Sequence, residues 1–508
     1  MRLSEILIES ARNYPEKRAV EYLGQSLTYA ELLKNVSRTA NALWNAGVRP
    51  GENVCIICRN GLQYIEAMFA ISFVGAAPAL INTRMAPIAI CQMVEQTGAK
   101  LAFVSNTESA TLAKLEDTFG DRLRIVLTAH DPSLPSNFDA FVAGQRDCFE
   151  PIETSPDATA VIMFTSGTTG KAKGVAISDS AVRNRLAHVS DSDLWHADDV
   201  FLCVAPLCHA ISISVMVLLN EGGTLLLCPP EYVRDIHKVL EIIETEKVTS
   251  TALVPTVVNR LVTYMEENGL KNTCVKIVHY GGSPMSQELL DRCGKVFSCR
   301  FNQGYGMTET YGTVVRLKPE DHYDGKHLSS VGRPEPGNEL KIIDEEGNTL
   351  PQGQVGEVCV KTPSVMTCYI GMPERTAEVL KDGWYHTGDM GYVDEMGYLF
   401  LKDRKSDMII TGGENVYPQE VENCILQLKD DVEAVCVCGI EDRIWGEIIA
   451  AAVVKKPGSS IDEKTILDHC GEYLGRYKRP KRLLFVDTIP TTAVGKIDRS
   501  AVKTLFKS

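Results

Sequence analysis

The sequence predicts an α/β protein: a large N-terminal domain of parallel α/β sheets with a small β unit, followed by a smaller α+β C-terminal domain. Three observations predict it. Short apolar runs alternate with amphipathic helical patterns through the first 150 residues and again through the central part. From about Glu339 the pattern changes to short strands joined by polar turns. A charged stretch, Lys402-Asp403-Arg404-Lys405-Ser406-Asp407, then precedes a set of elements large enough for a domain of roughly 100 residues.

In chain order, Leu27-Thr28-Tyr29-Ala30-Glu31-Leu32-Leu33 opens an amphipathic helix, with Thr28 as N-cap and Glu31, three residues on, completing a capping box. Gly47 is placed to end it, and Asn53 to Cys58 reads as the buried strand that follows. In the central part Ala160 to Phe164, Val200 to Ala205, Gly223 to Cys228 and Val275 to Tyr280 read as strands, with helical patterns such as Val233 to Glu246 between them. That alternation predicts a mainly parallel sheet. Leu340 to Ile343, Gly356 to Val360 and Tyr398 to Lys402 read as short antiparallel strands, joined by turns such as Glu346-Gly347-Asn348. Strand Val432 to Cys438, strand Ile448 to Val454, helix Ile461 to Leu474 and strand Arg482 to Val486 complete the pattern. The expected boundary is Asp403, dividing residues 1–403 from 404–508.

Composition narrows the function. With 44% hydrophobic and 23% charged residues, the 508-residue chain is no disordered tail, collagen-like fibre or disulfide scaffold. A formal net charge of -14 argues against a nucleic-acid partner, so a phosphate ligand needs a local site. The most apolar window, Tyr64 to Ile81, is interrupted by Glu66, Gly75 and Pro78, and no transmembrane segment is expected. The sixteen cysteines are scattered through apolar runs, as in a reduced cytoplasmic protein. Cys55 and Cys58 form a C-x-x-C inside a strand-like run, with no second pair at zinc spacing, and are read as core.

The segment Phe164-Thr165-Ser166-Gly167-Thr168-Thr169-Gly170-Lys171-Ala172-Lys173-Gly174 packs hydroxyls, glycines and two lysines behind a strand. Glycines let backbone N–H groups turn inward, hydroxyls donate and lysine adds charge, which suits a polyphosphate. It is not a Walker A loop, because Thr165 and Ala172 stand where that motif needs Gly and Ser/Thr. On composition alone a polar surface loop fits equally well.

Thr-Ser-Gly-Thr-Thr-Gly-x-x-Lys-Gly resembles the phosphate loop of the adenylate-forming superfamily of acyl-CoA synthetases, luciferases and adenylation domains. Tyr305-Gly306-Met307-Thr308-Glu309-Thr310, Thr387-Gly388-Asp389, Asp403-Arg404-Lys405-Ser406-Asp407 and Pro490 to Arg499 are similar to its further motifs, in family order over the whole chain. The resemblance is nearest to fatty-acyl- and aryl-CoA ligases such as 4-chlorobenzoate:CoA ligase. It implies ATP and coenzyme A as co-substrates, Mg²⁺ as cofactor and a C-terminal domain that rotates about a hinge at Asp403.

By that resemblance Thr165, Ser166, Gly167, Thr168, Thr169, Gly170 and Lys173 hold phosphates, and Glu309 ligates Mg²⁺. Gly281, Gly282 and Ser283 border the adenine, with Gln303, Gly304, Tyr305, Gly306, Met307 and Thr308 on its other side. Asp389 accepts from the ribose hydroxyls and Arg404 reaches ribose and phosphate. Lys496 neutralises charge between the attacking carboxylate and the α-phosphate; with His209, Thr308 and Glu309 it makes up the catalytic set. His209 orients the acyl carboxylate, which needs no deprotonation at neutral pH. The implied acyl pocket, His209, Ala210, Ile211, Gly281, Gly304, Gly306, Met307 and Val314, is mostly small and apolar and suits a fatty or aryl monocarboxylate. No basic residue in those segments is placed to pair with a second carboxylate.

Gly412, Gly413, Trp445, Tyr477, Arg479 and Lys481 resemble coenzyme A contacts: glycines for close approach, an aromatic for adenine and cations for the 3′-phosphate. A carrier protein's phosphopantetheine as acceptor, or a silent binding protein on this fold, are the alternatives. A homodimer is allowed, and the physiological acid is left open.

Overall fold

The computed structural model describes residues 3–165, 172–190, 194–272, 274–281, 285–404, 407–411, 414–442, 445–474, 478–492 and 496–507, without the side chains of 189–190, 403–404, 410 and 414–415. The expected capping box is present: Thr28 accepts from the Glu31 N–H at 3.2 Å, and the Glu31 carboxylate accepts from the Thr28 N–H at 2.8 Å. The helix Tyr29–Asn45 follows, and Gly47 adopts φ 94°, in the left-handed region that glycine favours.

The chain divides into two compact units, Met1–Leu340 with Val360–Tyr385 and Lys341–Cys359 with His386–Ser508. The first unit holds two sheets. The centre of a nine-stranded sheet is six parallel strands, in the order Arg300–Met307, Ile277–Gly281, Ser250–Ala252, Val200–Cys203, Thr224–Leu227 and Arg18–Tyr22. Antiparallel strands flank them: Gly312–Leu317 and then Arg333–Pro334 on one side, and Gln25–Thr28 on the other.

A seven-stranded sheet runs Cys368–Tyr369, Lys173–Ser178, Thr159–Thr165, Ala77–Leu80, Asn53–Ile57, Leu101–Ser105 and Arg124–Thr128, parallel from Thr159–Thr165 onward. Buried aliphatic side chains pack on both sheets, as parallel strands covered on both faces require. Two expectations shift. The helix expected over Val233 to Glu246 is a 3₁₀ turn, Tyr232–Arg234, and a helix Ile236–Thr245, separated at Asp235, whose φ of -107° and ψ of 89° are not helical. The strand expected to reach Ala205 ends at Cys203, before Pro206.

The second unit carries short antiparallel strands, with Asp389 opposite Arg404 and Met390 opposite Asp403. The expected boundary residue Asp403 thus lies within the strand Leu399–Arg404. Beyond it, Val432–Asp442 and Gly446–Lys455 form a long antiparallel pair, Arg482–Phe485 joins in parallel, and helices Pro418–Leu426, Glu463–Tyr473 and Arg499–Leu505 accompany them.

Cys55 and Cys58 are buried beside Thr97 and Thr128, and burial pushes both thiols up to about 12, which suits core packing and not metal binding. No helix among the described residues is long and apolar enough to cross a membrane.

Glu66 is buried on the helix Leu62–Phe73, where Asn35 donates to it at 2.9 Å. Burial raises its carboxyl from 4.5 to about 7. The folded state therefore holds this proton where the unfolded chain has lost it, so stability is full below pH ~4.5 and falls as pH rises through ~7. Glu66→Gln keeps the bond from Asn35 and is expected to raise thermal stability above pH 7, by up to about 3 kcal/mol, with the gain vanishing below pH ~4.5. Melting curves from pH 4 to 9 check it.

Candidate functional site

The strands Thr159–Thr165 and Lys173–Ser178 are antiparallel neighbours, with Thr165 opposite Lys173. The expected phosphate loop therefore connects the strands of a hairpin, unlike a strand-to-helix phosphate loop. Ser166, Gly167, Thr168, Thr169 and Gly170 lie outside the described residues. The Thr165 hydroxyl is buried and has no hydrogen-bond partner among the described residues, as a donor kept for a ligand oxygen would be. Lys173 places its ammonium 4.6 Å from the centre of the Tyr369 ring.

Tyr369 also reaches Glu309, donating its hydroxyl to the carboxylate at 2.7 Å. The Glu309 carbonyl accepts from the Met366 N–H at 2.7 Å, so backbone and side chain are both tied to the segment that ends in Tyr369. Glu309 sits in the 3₁₀ turn Thr308–Thr310 with Thr308 half-buried beside it, and the Thr310 hydroxyl donates to Gly312 at 2.8 Å. The end of the expected phosphate loop and the expected magnesium ligand thus meet through one tyrosine, which sequence reasoning missed. Sixty residues separate it from Glu309, and no local spacing signals the contact. A buried carboxylate suits a hard cation. Among the described residues no three His, Cys, Asp or Glu side chains converge on a metal site, and a magnesium ion shared with substrate phosphates requires no such cluster.

Gln303 is buried on the strand Arg300–Met307, its amide oxygen accepting from the Tyr280 hydroxyl at 3.2 Å. Gly281 and Gly304 are opposite one another. A Cβ on Gly281 would stand 2.7 Å from the Gly304 oxygen, and one on Gly304 2.5 Å from the Thr313 hydroxyl. Sheet backbone thus excludes a larger residue at Gly281, while one at Gly304 would have to displace the Thr313 side chain. Tyr305 and Met307 are half-buried, Gly306 is exposed and Val314 is buried; Gly282 and Ser283 lie outside the described residues. His209 precedes the helix Ile211–Asn220, with Ala210 exposed and Ile211 half-buried; its Nε2 is 3.4 Å from the Asn82 amide nitrogen. Two arginines near this region also escaped sequence reasoning. Arg185 bonds Glu335 at 2.7 Å and the Thr313 carbonyl at 2.7 Å, and Arg316 donates to the same Glu335 at 2.6 Å.

In the second unit, Asp389 is buried and its N–H donates to the Thr387 hydroxyl at 3.0 Å, across Gly388 at φ 71°. Arg404 lies opposite on the neighbouring strand; its side chain and that of Asp403 are outside the described residues. Lys496 is exposed, and its carbonyl accepts from the Thr492 N–H at 2.7 Å. Of the expected coenzyme A contacts, Trp445 is exposed and Lys481 lies over its ring at 3.6 Å, while Arg479 is 3.6 Å from Asp468. Gly412, Gly413 and Tyr477 lie outside the described residues.

The sequence profile of the AMP-binding enzyme family matches residues 7–370, and that of the AMP-binding enzyme C-terminal domain matches residues 420–496. The chain belongs to the AMP-binding enzyme family. Among its relatives, a fatty acid–[acyl-carrier-protein] ligase of Streptomyces coeruleorubidus is 34% identical over 98% of this chain and 95% of its own. A feruloyl-CoA synthase of an Amycolatopsis species is 34% identical over 98% of each chain. The structure of o-succinylbenzoate CoA synthetase from Bacillus subtilis with its acyl-adenylate intermediate matches with a TM-score of 0.84 and 29% identity, over 98% of this chain and 97% of that one. This AMP-binding enzyme therefore shares the expected fold: a large domain of parallel sheets and a smaller C-terminal one.

Proposed function

We propose that the chain is an ATP- and Mg²⁺-dependent acid:CoA ligase that activates a fatty or aryl monocarboxylate through acyl-AMP. The observation that carries the reading is the meeting of Lys173, Tyr369 and Glu309 in a family whose full-length relatives include a CoA ligase. A carboxylate oxygen attacks the α-phosphorus of ATP, and the bond to the bridging oxygen of pyrophosphate breaks. The coenzyme A thiol then attacks the acyl carbon, AMP leaves and the thiol proton passes to solvent.

Thr165 and Lys173 bind phosphate oxygens, and Tyr369 holds the Glu309 carboxylate in place for the metal. Magnesium, when bound, neutralises charge on the phosphate oxygens. His209 orients the carboxylate, Asp389 and Arg404 hold the ribose, and Lys496 supplies charge at the α-phosphate. The C-terminal part turns about Asp403 between the two steps, so that Trp445, Arg479 and Lys481 receive coenzyme A.

An acid panel tests the reading. One acid is expected to release pyrophosphate, with thioester appearing only when coenzyme A is added; release with no acid sinks it. The acyl-carrier-protein ligase among the relatives favours one second reading, transfer to a carrier's phosphopantetheine. Pyrophosphate release that yields thioester on a carrier but none on free coenzyme A selects it.

A further inference from the structure

The sheet face that carries Gly281 and Gly304 continues, two residues back along each strand, with His279 and Asn302. Residues two apart on a strand share a face, and His279 is opposite Asn302 as Gly281 is opposite Gly304. The two polar side chains therefore stand about 7 Å along the strands from the glycines. Asn302 is 2% exposed, and its amide nitrogen is 2.9 Å from His279 Nδ1. His279 Nε2 and Asn302 Oδ1 are both buried, with no hydrogen-bond partner among the described residues.

The pair is half satisfied in every assignment. If the amide donates to Nδ1, then Nε2 keeps its N–H and Oδ1 remains an acceptor. If the amide is turned, Oδ1 accepts from Nδ1–H, leaving an amide N–H and a bare Nε2. At least one donor and one acceptor remain either way. Trp195 stacks on the His279 ring, with centroids 4.8 Å apart and planes 4° apart, and fixes its orientation. Burial and then the charge of Arg316 lower the imidazole to about 3, so it is neutral near pH 7 and serves as a hydrogen-bonding group.

We propose that His279 and Asn302 form the polar floor of the acyl pocket, and that the activated acid carries a hydroxyl at its distal end. This rests on the ligase reading and on Gly281 and Gly304 lining that pocket. A hydroxyl supplies both a donor and acceptors, a methyl or chlorine end supplies no comparable pair, and a second carboxylate supplies acceptors alone.

The test compares matched acids on the full-length wild type by pyrophosphate release: 4-hydroxycinnamate against cinnamate, 4-hydroxybenzoate against benzoate, and ω-hydroxyalkanoates against alkanoates of equal length. At least one hydroxylated acid is expected to exceed its partner about 100-fold in kcat/KM, and His279→Phe and Asn302→Leu are each expected to bring that ratio to within threefold of one. The ratio compares two acids on one preparation, so a loss of folded enzyme cancels. Ratios near one for every pair, dicarboxylates as the best acids, or a ratio that survives both substitutions overturns the inference while leaving the ligase reading intact. Release with no acid overturns the ligase reading, and this inference with it.

Discussion

Lys496→Ala is expected to slow pyrophosphate release about 10²–10³-fold, while thioester formation from preformed acyl-AMP keeps most of its rate. The first step brings a carboxylate against a polyphosphate, and its transition state concentrates negative charge around the α-phosphorus. A lysine ammonium is a compact charge suited to that point. In the second step AMP departs from a neutral thiol's attack on carbon, and the demand at phosphorus is smaller. The exposed position of Lys496 means that truncation has little effect on packing. Separate assays of the two half-reactions, with a melting curve on the same preparation, check the claim. Equal losses in both steps would make Lys496 a structural residue.

What the sequence disclosed was local. The Thr28–Glu31 capping box lies within four residues and appears as expected. The strand Asn53–Ile57 announced itself by an apolar run. Asp235 shows the limit, because an unbroken apolar periodicity from Val233 to Glu246 hid a non-helical residue. The motifs marked Glu309 and Lys173, but the Tyr369 that joins them comes from a short edge strand, nearly two hundred residues on, that pairs directly with the strand of Lys173. His279 and Asn302 were less visible still. Each looks like an ordinary polar residue in a strand, and only the parallel register brings them together.

Arg499→Met is expected to destabilise the C-terminal unit by about 3–5 kcal/mol, a fall of ~10 °C in its melting transition. Val432–Asp442 is the edge strand of its sheet, and Val437 turns its N–H and C=O toward Glu422 and Arg499. The Glu422 carboxylate accepts from the Val437 N–H at 2.8 Å, and Arg499 donates to the Val437 carbonyl at 2.7 Å. The two side chains also pair directly, and Arg499 Nε lies 3.4 Å from Asp407. Removing the guanidinium strands a carboxylate that is only 4% exposed and unpairs a backbone carbonyl. Glu422→Met added to Arg499→Met is expected to recover much of the loss, since an apolar pair of similar volume leaves no buried charge. A single variant that melts within about 1 °C of wild type would refute the clamp. Arg499 also begins the helix Arg499–Leu505, three residues after Lys496, so the single variant is expected to lose pyrophosphate release as well, through a misplaced lysine. The double variant separates these effects: it regains stability, and its activity reports how far Arg499 positions Lys496.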